Sequence, residues 1–511
     1  MASTRATAGS SPLEEQARFD ALQQKLVPLW TSIRALNQDP QTIVVVPSMA
    51  MEVDLRGSEV QAYEERFLFL LLLLRQPRAR LVYVTGQAIH PSIVDYYLDL
   101  MPGVISSHAR RRLFLVSPLD ASPRPLATKL LERPRLLERL RALVPDPDRA
   151  HLVPFATAWA DRELALRLGI PMYGCDPALV SLGTKSSSRR LFREAGVPHP
   201  AGREDLGSED ALVDAIVSMR RENPALRRVV IKLNEGVSGT GNSNLDVSSL
   251  PPPGSAGERD GVRRLLPTMT FELQGLAYPV FLEELAEQQG IVEERIVAEE
   301  IRSPSVQLRV TPLGELELLS THDQLLGGAS GQSYLGCRFP ADAAYAGMIS
   351  REAAKVGRRL ASAGVLGRFA LDFVVARSKG GSWAPYAIEI NLRKGGTTHP
   401  FLTLQFLTDG TYDAESAQFT APGGRQKFFV ASDHLESERY RSLTPDDLFD
   451  LALRHGLHFD QTRLSGIVFH MMSALPECGR TGLTAVGDSP EEADRLYRRF
   501  QEALDRETAE G

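Results

Sequence analysis

Cysteine is scarce in this chain. Among its 511 residues only Cys175, Cys337 and Cys478 are cysteines, far apart and without a C-x-x-C pair. That excludes a disulfide-stapled secreted scaffold and favours a reducing, cytoplasmic setting. The opening M-A-S-T-R-A-T-A-G-S-S-P has no apolar h-region, so residues 1–25 are expected to be a disordered tail and not a signal peptide. The longest apolar run, F-L-F-L-L-L-L-L at 67–74, is too short to span a bilayer and is expected to be a buried helix flank. Charge of one sign is missing too: 58 basic and 64 acidic residues are mixed along the chain for a net charge of -6. Neither a nucleic-acid-binding stripe nor a membrane-directed polybasic segment is present, so small partners are expected. There is no P-loop, no G-x-G-x-x-G opening a helix after a first strand, and no visible internal repeat.

A chain of this length exceeds the size at which a single core stops growing, so two to four domains are expected, and 43% hydrophobic residues can supply their cores. T-I-V-V-V-P-S (42–48), R-L-V-Y-V-T-G (80–86), R-L-F-L-V-S (112–117) and H-L-V-P-F (151–155) read as strands separated by helical segments, which predicts a parallel α/β sheet. Lys185 opens an amphipathic helix through Glu194 that Gly196 and Pro198 stop. An α+β body follows. V-Q-L-R-V and E-L-E-L-L-S predict strands, 348–363 a helix, and 368–376 with 385–392 a pair of strands around a G-G turn. R-I-V-A-E-E-I (295–301) reads as a further strand, and P-P-P-G-S-A-G-E (251–258) as a surface turn. T-P-D-D-L near Leu443 has the N-cap and acidic first turn of a helix, and the C-terminal segment reads as β then α.

Residues 388–400, I-E-I-N-L-R-K-G-G-T-T-H-P, carry the most chemistry. On a strand, side chains alternate faces, so Glu389, Asn391 and Arg393 point to one side. Two oxygen ligands for a divalent cation and a guanidinium for phosphate then share a cavity, as Mg²⁺ chemistry on nucleotides requires. Asp372 on the neighbouring strand lies within reach of Glu389, and an unpaired carboxylate in so apolar a strand calls for a cation. Upstream, V-V-I-K-L-N-E-G-V-S-G-T-G-N-S-N (229–244) puts Lys232 on a strand before a loop with Gly236, Ser238, Gly239 and Gly241. Such a loop can present backbone N–H groups to phosphate oxygens, or it is a structural glycine hairpin.

The order Lys strand, glycine loop, E-E hinge, Asp strand, E-x-N strand resembles the ATP-grasp superfamily. Within it the chain is similar to the peptide ligase (carboxylate-amine ligase) group typified by the pheganomycin peptide ligase. T-K-S-S-S-R-R-L-F (184–192), S-T-H-D-Q (320–324) and G-Q-S-Y-L-G-C-R-F-P (331–340) add to the likeness, which spans from about Ile43 to the C-terminal segment. The resemblance implies a pre-ATP-grasp α/β domain (26–180), an ATP-grasp catalytic domain (181–435) and a small α+β C-terminal domain (436–511).

It further implies an enzyme that uses ATP with Mg²⁺ or Mn²⁺ to activate a carboxylate as an acyl phosphate, which an amine converts to an amide with release of ADP and phosphate. Amino acids or peptides are the expected substrates, and a homo-oligomer is left open. Asp372, Glu389 and Asn391 would hold metal. Lys185, Lys232 and the glycine loop would hold phosphates, and Glu299, Glu300 and Ile301 the adenine. Arg393 and His322 would act on the reacting groups. His322, Asp323 and Gln324 read equally as a turn, and His399 as a loop histidine. The usual ribose-holding Glu is missing beyond the hinge, where R-S-P-S-V-Q leaves Ser305 or Gln307 as substitutes. The glycine loop and G-G-A-S-G-Q-S (327–333) would be lids that keep water from the acyl phosphate. The same site would also serve a phosphotransferase with a non-carboxylate acceptor, or a regulatory module that senses ATP without turnover.

Overall fold

A computed structural model describes residues 11–35, 39–48, 55, 57–101, 103–236, 241–273, 275–327 and 333–509. Four of its strands are the predicted ones: β1 (Gln41–Val46), β2 (Ala79–Val84), β3 (Leu113–Val116) and β4 (Ala150–Pro154). They form a parallel sheet in the order β3-β2-β1-β4. Consecutive Val44, Val45 and Val46 are all buried, because helices cover both faces of a parallel sheet. The leucine run forms a buried 3-10 helix, Leu68–Arg75, in one core with Phe429, Phe469 and Leu504 of the C-terminal segment. A segment apolar on every side has to be covered on every side.

The expected disordered tail is corrected in part. Residues 1–10 lie outside the described residues, but Pro12–Gln23 is a helix. Its start is a capping box: the Ser11 N–H donates to Glu14 at 2.7 Å and the Glu14 N–H to the Ser11 hydroxyl at 3.3 Å. Phe19 and Leu22 anchor it in the core of the parallel sheet.

The predicted helix, Lys185–Ala195, ends at a left-handed Gly196. Beyond it β5 (Gly202–Leu206), β6 (Arg228–Leu233), β7 (Asn242–Asp246), β8 (Thr270–Phe271) and β9 (Gly290–Glu294) form an antiparallel sheet ordered β5-β9-β6-β7-β8. A second sheet gathers β10 (Glu300–Arg302), β11 (Pro304–Val310), β12 (Leu316–Gly327), β13 (Ser333–Phe339), β14 (Gly367–Arg377) and β15 (Ala384–Asn391). The hairpin of β16 (Thr411–Asp413) and β17 (Gln418–Thr420) stands apart, and β18 (Phe428–Glu436), β19 (Gly466–His470) and β20 (Arg480–Gly487) complete the nine-stranded sheet.

Two sequence readings change here. No strand runs through 295–301: β9 pairs with β6 as far as Glu294, and β10 belongs to the other sheet, so 295–299 link two sheets. His322, Asp323 and Gln324 are not a turn but the middle of β12, paired with β11 and β13. The C-terminal segment has the expected strands and helices, and its β20 pairs with β18 and extends the nine-stranded sheet. Its helix Pro445–Arg454 does start at the predicted cap, Thr444 with Asp447. All three cysteines are free, and among the described residues no helix is long and apolar enough to cross a membrane.

Candidate active site

A cavity of about 400 Å³ lies between the five-stranded and nine-stranded sheets and reaches Arg66 and Phe155 of the N-terminal unit. Period-two alternation on β14 and β15 aims Asp372, Glu389 and Asn391 into it, as read from sequence. Asp372 and Glu389 are ladder partners. Asn391 donates to Asp372 at 2.9 Å, and Gln324 donates to its other oxygen at 2.8 Å. Burial, and then the Glu389 charge, push the Asp372 carboxyl up to about 7. Two facing carboxylates with an amide oxygen beside them suit Mg²⁺ or Mn²⁺, and the cation would relieve the repulsion that raises Asp372. Arg393 lines the same cavity; burial lowers its pKa, while Glu389 and Asp372 oppose that shift.

Lys185 and Lys232 converge on the cavity from different elements. Lys185, at the first turn of its helix, lies 3.5 Å from Glu389 and donates to the Gly236 carbonyl at 3.3 Å. Lys232, on β6, forms a buried ion pair with Glu293, which also accepts from Arg189 at 3.1 Å. Gly236 and Gly241 hold the base of the loop close: a Cβ on Gly236 would lie 3.1 Å from the Gly241 nitrogen. Ser238 and Gly239 fall outside the described residues, as do residues 328–332 of the second proposed lid.

Of Glu299, Glu300 and Ile301, expected at the adenine, one lines the cavity. Glu299 is exposed, and Glu300 is tied to Arg377 at 2.7 Å on β10; neither lines the cavity, whereas Ile301 does. The wall at that end is Glu293, Glu294, Arg295 and Ile296, where the chain leaves β9. These residues belong to V-E-E-R-I, an E-E pair earlier in the chain than the one singled out from sequence. Ser305 and Gln307 line the cavity, with Ser305 across the ladder from Asp372 and so beside the carboxylate pair.

His322 is not brought to the cavity wall. Its ring is fully buried against Phe339, Phe401 and Phe429, and its Nε2 shares a 2.8 Å hydrogen bond with Ser320. Burial lowers its pKa to about 3, which keeps it neutral. Helix Thr398–Thr408 supplies Phe401 as a cover at this position of β12.

Part of the cavity wall was not read from sequence. Arg66, Asp433 and His434 form it with Tyr63, Phe155 and Tyr334. Arg66 donates to Asp433 at 2.9 Å, and His470 Nε2 lies 2.8 Å from the other Asp433 oxygen. His399, taken as a loop residue, is buried on a helix with its Nε2 3.2 Å from Asp433. Gly396 leaves room for Tyr334, since a Cβ there would lie 2.6 Å from that ring. The E-R and S-D-H phrases that carry Arg66 and Asp433 lie more than 350 positions apart, so no local signal joins them.

Comparison with known proteins agrees with this geometry. A family model described as IQCH-like, ATP-grasp matches residues 177–260 and 270–415, and one described as PGM1 C-terminal domain matches 447–500. An L-propargylglycine–L-glutamate ligase of Streptantibioticus cattleyicolor is 34% identical over 86% of this chain and 89% of its own length. The fold is similar to a biotin carboxylase complex with β,γ-ATP from Campylobacter jejuni, at 13% identity and a TM-score of 0.52 over 89% of each chain. It is also similar to the MgADP-bound biotin carboxylase domain of Hydrogenobacter thermophilus 2-oxoglutarate carboxylase, at 13% identity and a TM-score of 0.51 over 90% of this chain and 89% of that one. On sequence, fold and cavity together, this chain belongs to the ATP-grasp family of carboxylate–amine ligases.

Proposed function

We propose that the chain joins the carboxylate of one amino acid or peptide to the amine of another at the expense of ATP. The observation that carries this reading is the convergence on one cavity of two facing carboxylates, an Asn, two lysines and Arg393. The relative named for propargylglycine and glutamate supports amino acids on both sides of the bond.

In this mechanism Glu293–Ile296 and Ile301 hold the adenine, and Lys185 and Lys232 neutralise the phosphates. Asp372, Glu389 and Asn391 would hold Mg²⁺, which supplies charge neutralisation on the transferring phosphoryl group. A substrate carboxylate oxygen attacks the γ-phosphorus, and ADP leaves with the bridging oxygen. Arg393 stabilises the acyl phosphate so formed. The amine nitrogen then attacks the carbonyl carbon; the C–N bond forms, the acyl C–O bond breaks, phosphate leaves with that electron pair, and nitrogen loses a proton. No nucleophilic side chain is required. Three free cysteines fit work in a reducing cytoplasm.

The test is interception. With ATP, MgCl₂ and a panel of amino acids, the enzyme given hydroxylamine in place of an amine should yield a hydroxamate and one ADP per hydroxamate. Stable phosphorylation of a hydroxyl or amine would overturn the ligase reading in favour of a phosphotransferase. Nucleotide binding with no ADP from any amino-acid pair would favour a sensor.

A further inference from the structure

Arg66 is a buried cation with unused hydrogen-bonding capacity. Its guanidinium is 6% exposed, yet it forms part of the cavity wall. Two aromatic rings fix its plane, Tyr63 at 4.4 Å and Phe155 at 4.9 Å from the guanidinium carbon to the ring centroids. Nη1 donates to Asp433, whereas Nε is buried and has no hydrogen-bond partner among the described residues. A guanidinium carries five N–H donors, of which Nη1 supplies one to Asp433, and at a cavity wall it can hold a carboxylate by charge-assisted hydrogen bonds as well.

Asp433 adds the opposite charge at the same place. It lines the cavity beside Arg66; His470 behind it fixes its orientation through the 2.8 Å hydrogen bond, and His399 lies 3.2 Å from the same carboxylate. An anion-seeking and a cation-seeking group thus lie 2.9 Å apart on the cavity wall. An α-amino acid carries its carboxylate and ammonium at a similar spacing.

We infer that Arg66 and Asp433 form the subsite for the amino acid that supplies the amine, Arg66 holding its non-reacting α-carboxylate and Asp433 drawing in its ammonium. His399 and His470 are positioning residues that act through Asp433. The inference rests on the ligase reading above and deepens it by naming the amine substrate as a free α-amino acid whose carboxylate is recognised.

The test uses the wild-type enzyme first. The twenty proteinogenic amino acids and L-propargylglycine are screened in pairs with ATP and MgCl₂, and the best amine is compared with its α-carboxamide at saturating ATP and donor. A KM higher for the carboxamide by about 10-fold to 100-fold is expected, the worth of a charge-assisted hydrogen bond. In Arg66→Gln the two amines should differ by less than about threefold, while hydroxamate formation from the donor alone persists at a measurable rate. Equal use of acid and carboxamide by wild type, or full discrimination by Arg66→Gln, would overturn the subsite. If no pair yields an amide or hydroxamate, the ligase reading fails, and this inference falls with it. Because Arg66→Gln leaves Asp433 without its cation and can impair folding, Arg66→Lys is measured beside it: it keeps the charge and should retain part of the preference for the acid, and equal preference in all three proteins would overturn the subsite.

Discussion

Asp372 on β14 and Glu389 on β15 face each other across one rung of the ladder, with Asn391 bonded to Asp372 at 2.9 Å. Like charges so placed repel unless a cation lies between them. Asp372→Asn or Glu389→Gln should therefore cut kcat by about 100-fold or more while the fold persists. In metal-free buffer either variant should melt at or above the wild-type temperature. MgADP should raise the melting temperature of wild type and do so less for each variant. Wild-type turnover by either variant at saturating Mg²⁺ would remove the two-carboxylate assignment.

Lys232 and Glu293 form a buried ion pair that Arg189 extends. Arg189 still pairs with Glu293 when Lys232 is removed, so Lys232→Ala should cost less than the about 3–5 kcal/mol of a fully stranded buried charge, and should raise KM for ATP. The double variant Lys232→Met with Glu293→Gln should recover stability but not ATP affinity. Denaturant melts and ATP titrations separate the two effects, and recovery of both would mean that Lys232 serves the fold alone.

Placing the adenine wall at 293–296 makes neighbouring residues behave differently. Ile296→Asp replaces the one apolar side chain of the 293–296 wall with a charge and should raise KM for ATP about 10-fold or more. Glu299→Ala, at an exposed position, should change it by less than about twofold. The reverse pattern would restore the hinge to 299–301.

His322 is buried among Phe339, Phe401 and Phe429, with its pKa lowered to about 3 from 6.5. An unfolded chain then binds the proton that the folded chain refuses, so stability rises with pH between those values and is lost as pH falls below about 6.5. His322→Phe should flatten that acid-side slope and keep kcat within about threefold. Equilibrium unfolding between pH 4 and 7 measures the first, steady-state kinetics the second. A hundredfold loss of kcat in a folded His322→Phe protein would give the imidazole a part in the reaction after all.

Much of this protein is written locally. Period-two alternation in A-I-E-I-N and in F-A-L-D-F is a property of a few consecutive residues, and it placed Asp372, Glu389 and Asn391 on one face without any knowledge of the fold. The apolar run of β1 is legible for the same reason: a strand covered on both faces has no polar positions to interrupt it. What the sequence did not decide depends on which segments meet. Its two E-E pairs, 293–294 and 299–300, are locally alike, and only the point where β9 leaves its sheet selects the one that lines the cavity. His322 faces phenylalanines because helix Thr398–Thr408 packs there, not because of its neighbours in sequence. Arg66, His399, Asp433 and His470 come from four separate segments and meet only when the N-terminal unit closes against the nine-stranded sheet. Alternation is set by backbone geometry over a few residues, whereas such a meeting is set by the packing of whole sheets.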